Sequence, residues 1–247
     1  MPEGPPPSAP AAAHVHPRVV PWRHAFAWYE EAMRLFKRAW LRFAILALLT
    51  IGTELALKAG PDVLALAAEV IAPLVGCGMV YAAAAVDRRE APSLLLALAA
   101  FRAAPSAILA IVLASAITLA AQVFAAWWIA DVNLLLPDPA TDLTLSGLVG
   151  VIVIGALASL PVTFVPFHAL LEGVPLRTAF AASAIAFAQN TLPLVVYCAG
   201  SLVLVAFGLI THLVGLVLAL PLSTAAAYAA WKDIFGLREP PSWRQAG

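Results

Sequence analysis

Charge is scarce in this sequence: 11% of its 247 residues are charged, while 63% are hydrophobic. Water-soluble domains carry about 25% charged and about 45–50% apolar residues, so the composition excludes an ordinary soluble fold. The net charge of zero leaves no concentrated basic face, and nucleic acid is therefore not expected as a partner. Cys77 and Cys198, the two cysteines, lie in apolar runs, which favours small packing residues over a disulfide or a metal pair.

Motifs for catalysis or cofactor binding are also lacking. The sequence contains no GxxxxGK[ST], GxSxG or HExxH, the patterns of phosphate loops, serine hydrolases and zinc proteases. Gly76 and Gly78 lack the third glycine and the preceding strand of a dinucleotide loop. No Asp, Glu and His residues gather at one membrane depth, as intramembrane metal catalysis requires. We therefore predict no catalytic residues, no cofactor and no metal site.

Long apolar runs are what the sequence does contain. A bilayer core takes about 20 apolar residues per helical span, and six stretches qualify: 40–57, 63–86, 105–130, 145–171, 192–210 and 213–231. The last two form one run, which as a single helix would be about 58 Å long, nearly twice the hydrocarbon thickness. A break is predicted at the polar and glycine residues Gly208, Thr211, His212 and Gly215. The predicted fold is an all-α, polytopic membrane bundle of six transmembrane helices.

The six helices are predicted to form a single transmembrane domain, which we place at residues 22–236. Both ends of the chain differ from it in composition. Residues 1–21 contain seven prolines and are predicted to be a disordered cytosolic tail; residues 237–247 form a second short tail. The start of the sequence lacks the apolar segment and cleavage site of a signal peptide. His14 and His16 are spaced as a metal pair, but nothing near them completes a ligand set.

The distribution of charge orients the bundle. Of the 14 Lys and Arg residues, only Lys58 falls outside the termini and the segments that follow the second and fourth spans. The opposite loops carry Glu54, Asp62, Glu69, Asp131, Asp138 and Asp142. Basic loops stay cytoplasmic, so both termini are predicted inside a bacterial inner membrane. The tryptophans fit an aromatic belt, with an outer group of Trp127 and Trp128 and an inner group of Trp22, Trp28, Trp40, Trp231 and Trp243.

A threefold internal repeat is a further prediction. Three short amphipathic segments, too short to span, precede the outward spans and are expected to lie in the interface: 24–37, 92–101 and 175–187. In the first, Phe26, Met33, Phe36 and Trp40 recur at helical spacing, and Glu30 is placed to pair with Arg34. Each return span contains a helix-bending proline: Pro73, Pro161 or Pro221. Alanine clusters near the inner ends of the return spans predict close helix packing.

Two polar pairs stand out as candidate functional residues. Glu54 and Lys58 are one helical turn apart near the outer end of the first span, where an ionisable group suggests function. The alternative is a neutralised pair that reaches the surface close to Asp62. His168 and Glu172 are also one turn apart, and such a pair can relay a proton or supply two metal ligands. The alternative is a hydrogen-bonded pair at the inner interface, which the missing further ligands favour.

Several short motifs resemble a known family. They are Trp28, Glu31, Ala32, Leu35, Phe36 and Lys37 in the entry helix; Pro73, Gly76 and Gly78; Glu172, Gly173 and Pro175; and the closing Tyr228-Ala-Ala-Trp-Lys-Asp-Ile-Phe235. Over residues 22–236 the chain resembles the bacterial six-span membrane proteins of unknown function that include the YciC-like proteins. At the close it departs mildly, with Trp231 and Lys232 where an aromatic or arginine is usual. The resemblance implies a bacterial inner-membrane protein and brings no site residues with it.

Three function classes follow. The leading hypothesis is a non-catalytic, multi-pass inner-membrane protein that binds lipid or a membrane-protein partner, including a second copy of itself. The alternative is a small-solute or lipid transporter, for which kinked helices and internal repeats are typical. An enzyme is the least favoured class, because its site would have to be assembled from His168, Glu172 and Asp87.

Overall fold

The structure, a computed structural model, describes residues 16–134, 144–212 and 214–237. Some of the predictions concern residues outside these ranges, namely most of the two tails, His14, Asp138, Asp142 and Trp243. Within the described residues the chain forms helices and no strand. The all-α prediction is therefore confirmed for this part of the chain.

The first half of the chain contains four α-helices and one 3₁₀ segment. They are α1 (His24–Arg38), α2 (Trp40–Lys58), α3 (Asp62–Asp87), the 3₁₀ segment (Leu94–Arg102) and α4 (Pro105–Ala130). Pro105 opens α4 at the position where its missing N–H costs nothing. Ser93 caps the 3₁₀ segment by accepting a hydrogen bond from the Leu95 N–H at 3.2 Å. The structure thus has a 3₁₀ segment where a second amphipathic helix was predicted.

The second half contains α5 (Leu145–Ser159), α6 (Val165–Phe167), α7 (Leu176–Gln189), α8 (Thr191–Ile210) and α9 (Leu216–Ile234). Thr144 caps α5, since its hydroxyl accepts from the Gly147 N–H at 3.2 Å. Between α8 and α9 the Thr211 hydroxyl accepts from the Gly215 N–H at 2.8 Å, and His212 has a left-handed φ of 52°. The predicted break in the last apolar run is confirmed at this turn.

The prediction of one kinked helix over 145–171 is wrong. After α5 the chain forms a 3₁₀ turn (Leu160–Val162), α6 and a π-helical turn (His168–Glu172). Pro161 and Pro166 lie five residues apart and each lacks an N–H, so two hydrogen bonds of the α-helical ladder are lost within this short stretch. Ser183 of α7 replaces part of it: its hydroxyl donates to the Pro161 carbonyl at 2.8 Å and accepts from the Phe164 N–H at 3.1 Å. Pro73 and Pro221, in contrast, lie inside continuous helices.

Within the described residues, five helices are long and apolar enough to cross a membrane: Trp40–Lys58, Asp62–Asp87, Pro105–Ala130, Leu145–Val162 and Thr191–Ile210. Helix α9 is not one of them, because Ser223, Thr224, Lys232 and Asp233 lower its mean hydropathy. The described part of the chain therefore has the composition of a multi-pass membrane protein.

The alanine clusters are packed between helices, as predicted. Ala82, Ala83 and Ala84 near the end of α3 are fully buried, as are Ala225 and Ala226 of α9. Helix α9 contacts α1, α2, α3 and α8, so it lies at the centre of the bundle. Its large side chains, Trp231 and Tyr228, are buried with the alanines. In lipid, small side chains of this kind allow helices to approach closely and gain dispersion energy.

Helix α1 packs on the bundle through a face other than the predicted apolar stripe. Its buried residues are Ala25, Trp28, Ala32 and Leu35, whereas Phe26 and Met33 of the stripe are exposed. The predicted Glu30–Arg34 pair is wrong. Arg34 instead bonds Glu31, three residues before it, with its Nε 2.7 Å from Oε2.

The tryptophans do not all mark an interface. Trp127 and Trp128 are exposed, and so are Trp22 and Trp40. Trp28 and Trp231 are 2% and 0% exposed, so the assignment of these two to the aromatic belt is wrong. Both lie between helices: Trp231 stacks on Phe167 with ring centroids 5.8 Å apart, and Trp28 hydrogen-bonds to α9.

Candidate functional site

One carboxylate joins the start of the described chain to its last helix. Asp233 of α9 accepts hydrogen bonds from His24 Nδ1 at 2.7 Å and from Trp28 Nε1 at 2.9 Å, and it pairs with the Arg18 guanidinium. Burial alone raises the pKa of Asp233, but the bonds from His24, Trp28 and Arg18 outweigh burial and hold the pKa below its ordinary value.

The residues before α1 are held on the helices by further hydrogen bonds. We call residues 16–23 the N-terminal arm. The Arg18 N–H donates to the Ile234 carbonyl at 2.8 Å, and the Val20 N–H donates to Asn190 Oδ1 at 2.8 Å. Asn190, which is buried at the junction of α7 and α8, returns a bond from Nδ2 to the Arg18 carbonyl at 3.0 Å. The arm therefore belongs with the helical domain, and the boundary of the predicted tail lies before residue 21.

A second carboxylate ties α3 to α9. Asp87, at the end of α3, accepts a hydrogen bond from the Tyr228 hydroxyl at 3.0 Å and pairs with Lys232. We call this end of the bundle, where Asp87, Lys232, Asp233 and Arg18 lie, the basic end. A cleft of about 500 Å³ opens beside Asp233 and is also lined by Tyr228 and Lys232, the two partners of Asp87. Because both carboxylates already accept bonds from their own chain, they hold helices together rather than act as a free base.

Three arginines border another cavity at the basic end. Arg38 at the end of α1, Arg42 in the first turn of α2 and Arg89 after α3 line a volume of about 380 Å³, which we call the arginine pocket. Arg89 has a left-handed φ of 62°. Within the described residues none of the three guanidinium groups pairs with a carboxylate; Glu90, which also lines the pocket, pairs with Arg88 at 3.3 Å. The pocket therefore concentrates three positive charges that no carboxylate of the described residues pairs with.

The predicted Glu54–Lys58 pair is brought together, and a third residue joins it. Lys58 Nζ lies 2.8 Å from Glu54 Oε1 and 3.0 Å from Glu69 Oε1 of α3. Glu69 thus takes the neighbouring position that was expected for Asp62. The side chains of Lys58 and Glu54 are 43% and 46% exposed, so this cluster joins α2 to α3 at a surface.

His168 and Glu172 also contact each other. His168 Nδ1 lies 2.6 Å from Glu172 Oε2, and the His168 side chain is 2% exposed. Phe235 covers the imidazole edge-on, with ring centroids 4.5 Å apart. Asp87, the third residue of the hypothetical enzyme site, bonds Tyr228 and Lys232 instead. The His–Glu pair is therefore sealed by aromatic rings and separate from the other acid.

His, Cys, Asp and Glu side chains do not gather in threes around a metal-sized space anywhere in the described ranges. The two cysteines are buried and unpaired.

Fold and composition define a helical chain with several helices suited to crossing a membrane. Comparison with protein-family models, curated proteins and solved structures gives no match.

Sequence reasoning missed both carboxylate networks and the arginine pocket. For the pocket a signal existed: Arg38 and Arg42 flank Trp40 four residues apart, and Arg88 and Arg89 are adjacent. The distribution of charge was used only to orient the bundle in the membrane, so these arginines were not recognised as one site. For Asp233 no local signal exists, because its partner Arg18 is 215 positions away in the sequence.

Proposed function

We propose that this protein is a non-catalytic, six-span protein of a bacterial inner membrane that binds anionic phospholipid through the arginine pocket. Residues 216–231 of α9 serve as the sixth span, with both termini cytoplasmic. An even number of spans agrees with the contact between Arg18 and Asp233 at one end of the bundle. The positive charge at that end and the resemblance to YciC-like proteins support the same placement.

The interfacial helices and the repeat belong to this proposal. Helix α1, the 3₁₀ segment and α7 each directly precede a long helix, namely α2, α4 and α8. Phe26, Met33 and Trp40 are exposed along α1 and at the start of α2, where an apolar stripe suits the headgroup boundary. We infer that α1 lies in the cytoplasmic interface, with one face on the bundle and another in lipid.

The arginine pocket is the observation that carries the lipid-binding proposal. Guanidinium groups bind phosphate bidentately and remain charged at all physiological pH values. Basic pockets at the cytoplasmic ends of membrane helices suit anionic headgroups, and each cation near such a leaflet contributes about 1 kcal/mol. Trp40, 58% exposed between Arg38 and Arg42, would lie at the same depth as the headgroup. Three unpaired arginines thus predict a gain of about 3 kcal/mol for anionic over neutral lipid.

Native mass spectrometry of the protein released from mixed-lipid nanodiscs tests the proposal. With phosphatidylglycerol and phosphatidylcholine present in equal amounts, we expect bound phosphatidylglycerol to predominate. The triple variant Arg38→Gln, Arg42→Gln, Arg89→Gln should weaken this preference by about 100-fold. The single variant Arg177→Gln, which removes an exposed cation from α7, is the control and should retain it.

Equal retention of both lipids by the wild-type protein would overturn the proposal. So would a triple variant that behaves like Arg177→Gln. Inorganic phosphate added before lipid distinguishes a general phosphate site from a lipid site, because only the former is blocked by the free ion. The same spectra report the number of protein copies, and therefore test self-association as the competing explanation.

Transport is the second candidate function, favoured by the break in the fourth predicted span. The chain leaves α-helical geometry between Ser159 and Glu172, and discontinuous helices are common at transporter binding sites. Flux through purified protein in liposomes should then fall when Ser183→Ala removes the hydroxyl that bonds Pro161 and Phe164. Absence of flux with folded wild-type protein would eliminate this candidate and leave the lipid proposal untouched.

A further inference from the structure

A crevice lies among the long helices, away from the arginine pocket. Side chains of α2, α3, α4, α6, α8 and α9 line a volume of about 400 Å³. Its walls are apolar except for a set of hydroxyl groups, from Thr50, Ser115, Thr118, Thr163, Ser223 and Thr224 among others. We call it the hydroxyl crevice. Of the described residues, none that lines it is Asp, Glu, Lys or Arg.

Most of the hydroxyl protons in the crevice are already committed. Thr50 donates to the Leu46 carbonyl at 2.9 Å, Thr118 to the Ala114 carbonyl at 3.3 Å, and Thr163 to the Ser159 carbonyl at 3.0 Å. A hydroxyl oxygen that donates its proton keeps two lone pairs as acceptors. These three hydroxyls therefore offer acceptors rather than donors to the crevice.

Ser223 supplies a further polar group. Its Oγ is inaccessible and has no hydrogen-bond partner among the described residues, while its carbonyl accepts from the Tyr197 hydroxyl at 3.2 Å. A buried hydroxyl without a partner costs about 1–3 kcal/mol. If the Ser223 side chain rotates toward the crevice, a ligand can supply the missing bond and recover part of this free energy.

We propose that the hydroxyl crevice binds a small uncharged molecule that donates hydrogen bonds, of the polyol or amide class. Acceptor oxygens on several helices match the donors of such a molecule, and the apolar walls match its carbon skeleton. A charged ligand is disfavoured, since an ion in this setting needs a countercharge that the lining lacks. The volume lies within the range of ligand pockets, about 300–1,000 Å³. This site is separate from the lipid site, and binding there is measurable without any flux.

Saturation-transfer-difference NMR on protein in nanodiscs provides the test, with glycerol, erythritol and urea as probes. We expect probe signals above those of protein-free nanodiscs. Thr50→Val should weaken binding by about three- to tenfold, the size of one lost hydrogen bond. Thr53→Val is the matched control: Thr53 lies on the same helix and donates to the Leu49 carbonyl at 2.7 Å, but it does not line the crevice.

A second variant fills the crevice instead of removing a hydroxyl. Gly76 lines it, and a methyl group added there would lie 3.5 Å from Thr50 Cγ2, an ordinary contact. Gly76→Ala should therefore keep the fold and narrow the crevice, again weakening the probe signals at least threefold. The proposal is overturned if no probe gives a signal above protein-free nanodiscs, or if Thr50→Val and Thr53→Val behave alike. Unchanged binding in Gly76→Ala would also overturn it.

Discussion

Replacement of Asp233 by alanine should release the N-terminal arm from α9. The carboxylate accepts from His24 and Trp28 and pairs with Arg18, and the other acid that lines the same cleft, Glu31, already pairs with Arg34. The variant therefore leaves three donors without their acceptor. Asp233→Asn keeps one acceptor oxygen without the charge and should have a smaller effect.

The magnitude follows from the burial of each donor. Trp28 is 2% exposed, so its unbonded indole N–H costs about 1–3 kcal/mol. The side chains of Arg18 and His24 are 58% and 43% exposed, and water replaces much of what they lose. Screened pairs of this kind contribute about 0.2–1 kcal/mol each. The total is about 1.4–5 kcal/mol, which corresponds to about a tenfold or larger rise in the opening equilibrium of the arm.

Hydrogen–deuterium exchange measures this opening directly. The amides of Arg18 and Val20, which bond Ile234 and Asn190, should exchange at least about tenfold faster in Asp233→Ala. Glu30→Ala is the control, because Glu30 is exposed on α1 and makes no such bond. Wild-type exchange rates in Asp233→Ala, or equal acceleration in Glu30→Ala, would refute the reasoning.

Lowering the pH should also loosen the N-terminal arm, because Asp233 becomes protonated. The pKa of Asp233 is lower in the folded chain than its ordinary value, so the folded state binds this proton less readily than the unfolded state. The stabilisation from Asp233 is therefore complete above the ordinary aspartate pKa and is lost as pH falls through the lowered folded value. Protection of Arg18 from exchange, corrected for intrinsic rates, should not decline because of Asp233 between pH 7 and about 5.

Two further predictions concern helix contacts. Gly78→Ala would place a methyl carbon 2.8 Å from Ala97 Cα and should destabilise the protein by about 1–3 kcal/mol; thermal unfolding should show the loss, with Gly52→Ala as the control because nothing lies within 4 Å there. Glu69→Gln removes one of two carboxylates from Lys58 and should cost less than about 1 kcal/mol, since the cluster is half exposed; a large fall in the unfolding temperature would contradict this.

The sequence predicted those parts of the fold that depend on hydrophobic run length and local breakers. Residues 105–130 were expected as a span and form α4, because the run begins with proline and has no internal interruption. The fourth span was predicted less well, since Pro166 was not considered beside Pro161, and the hydroxyl of Ser183 stabilises the resulting break. No periodicity identifies such a contact between separate helices.

The candidate site was less predictable than the fold for a physical reason. Neighbouring pairs such as Glu54–Lys58 and His168–Glu172 are one helical turn apart, so helix geometry alone brings them together. The arginine pocket instead requires the junction of α1 and α2 to meet the chain after α3. That meeting depends on the packing of α2 against α3, which a single sequence does not specify.

The last turn of α9 is held by charged bonds as well as by packing. Farther up the helix, Ala225 and Ala226 pack against neighbouring helices, and dispersion between closely packed helices does not depend on salt. The last turn buries Trp231 and Ile234 and also pairs Asp233 with Arg18 of the N-terminal arm, whose side chain is 58% exposed. Exposed charges are screened by salt. The arm is therefore the element that salt can loosen while α1 keeps its buried residues against the bundle.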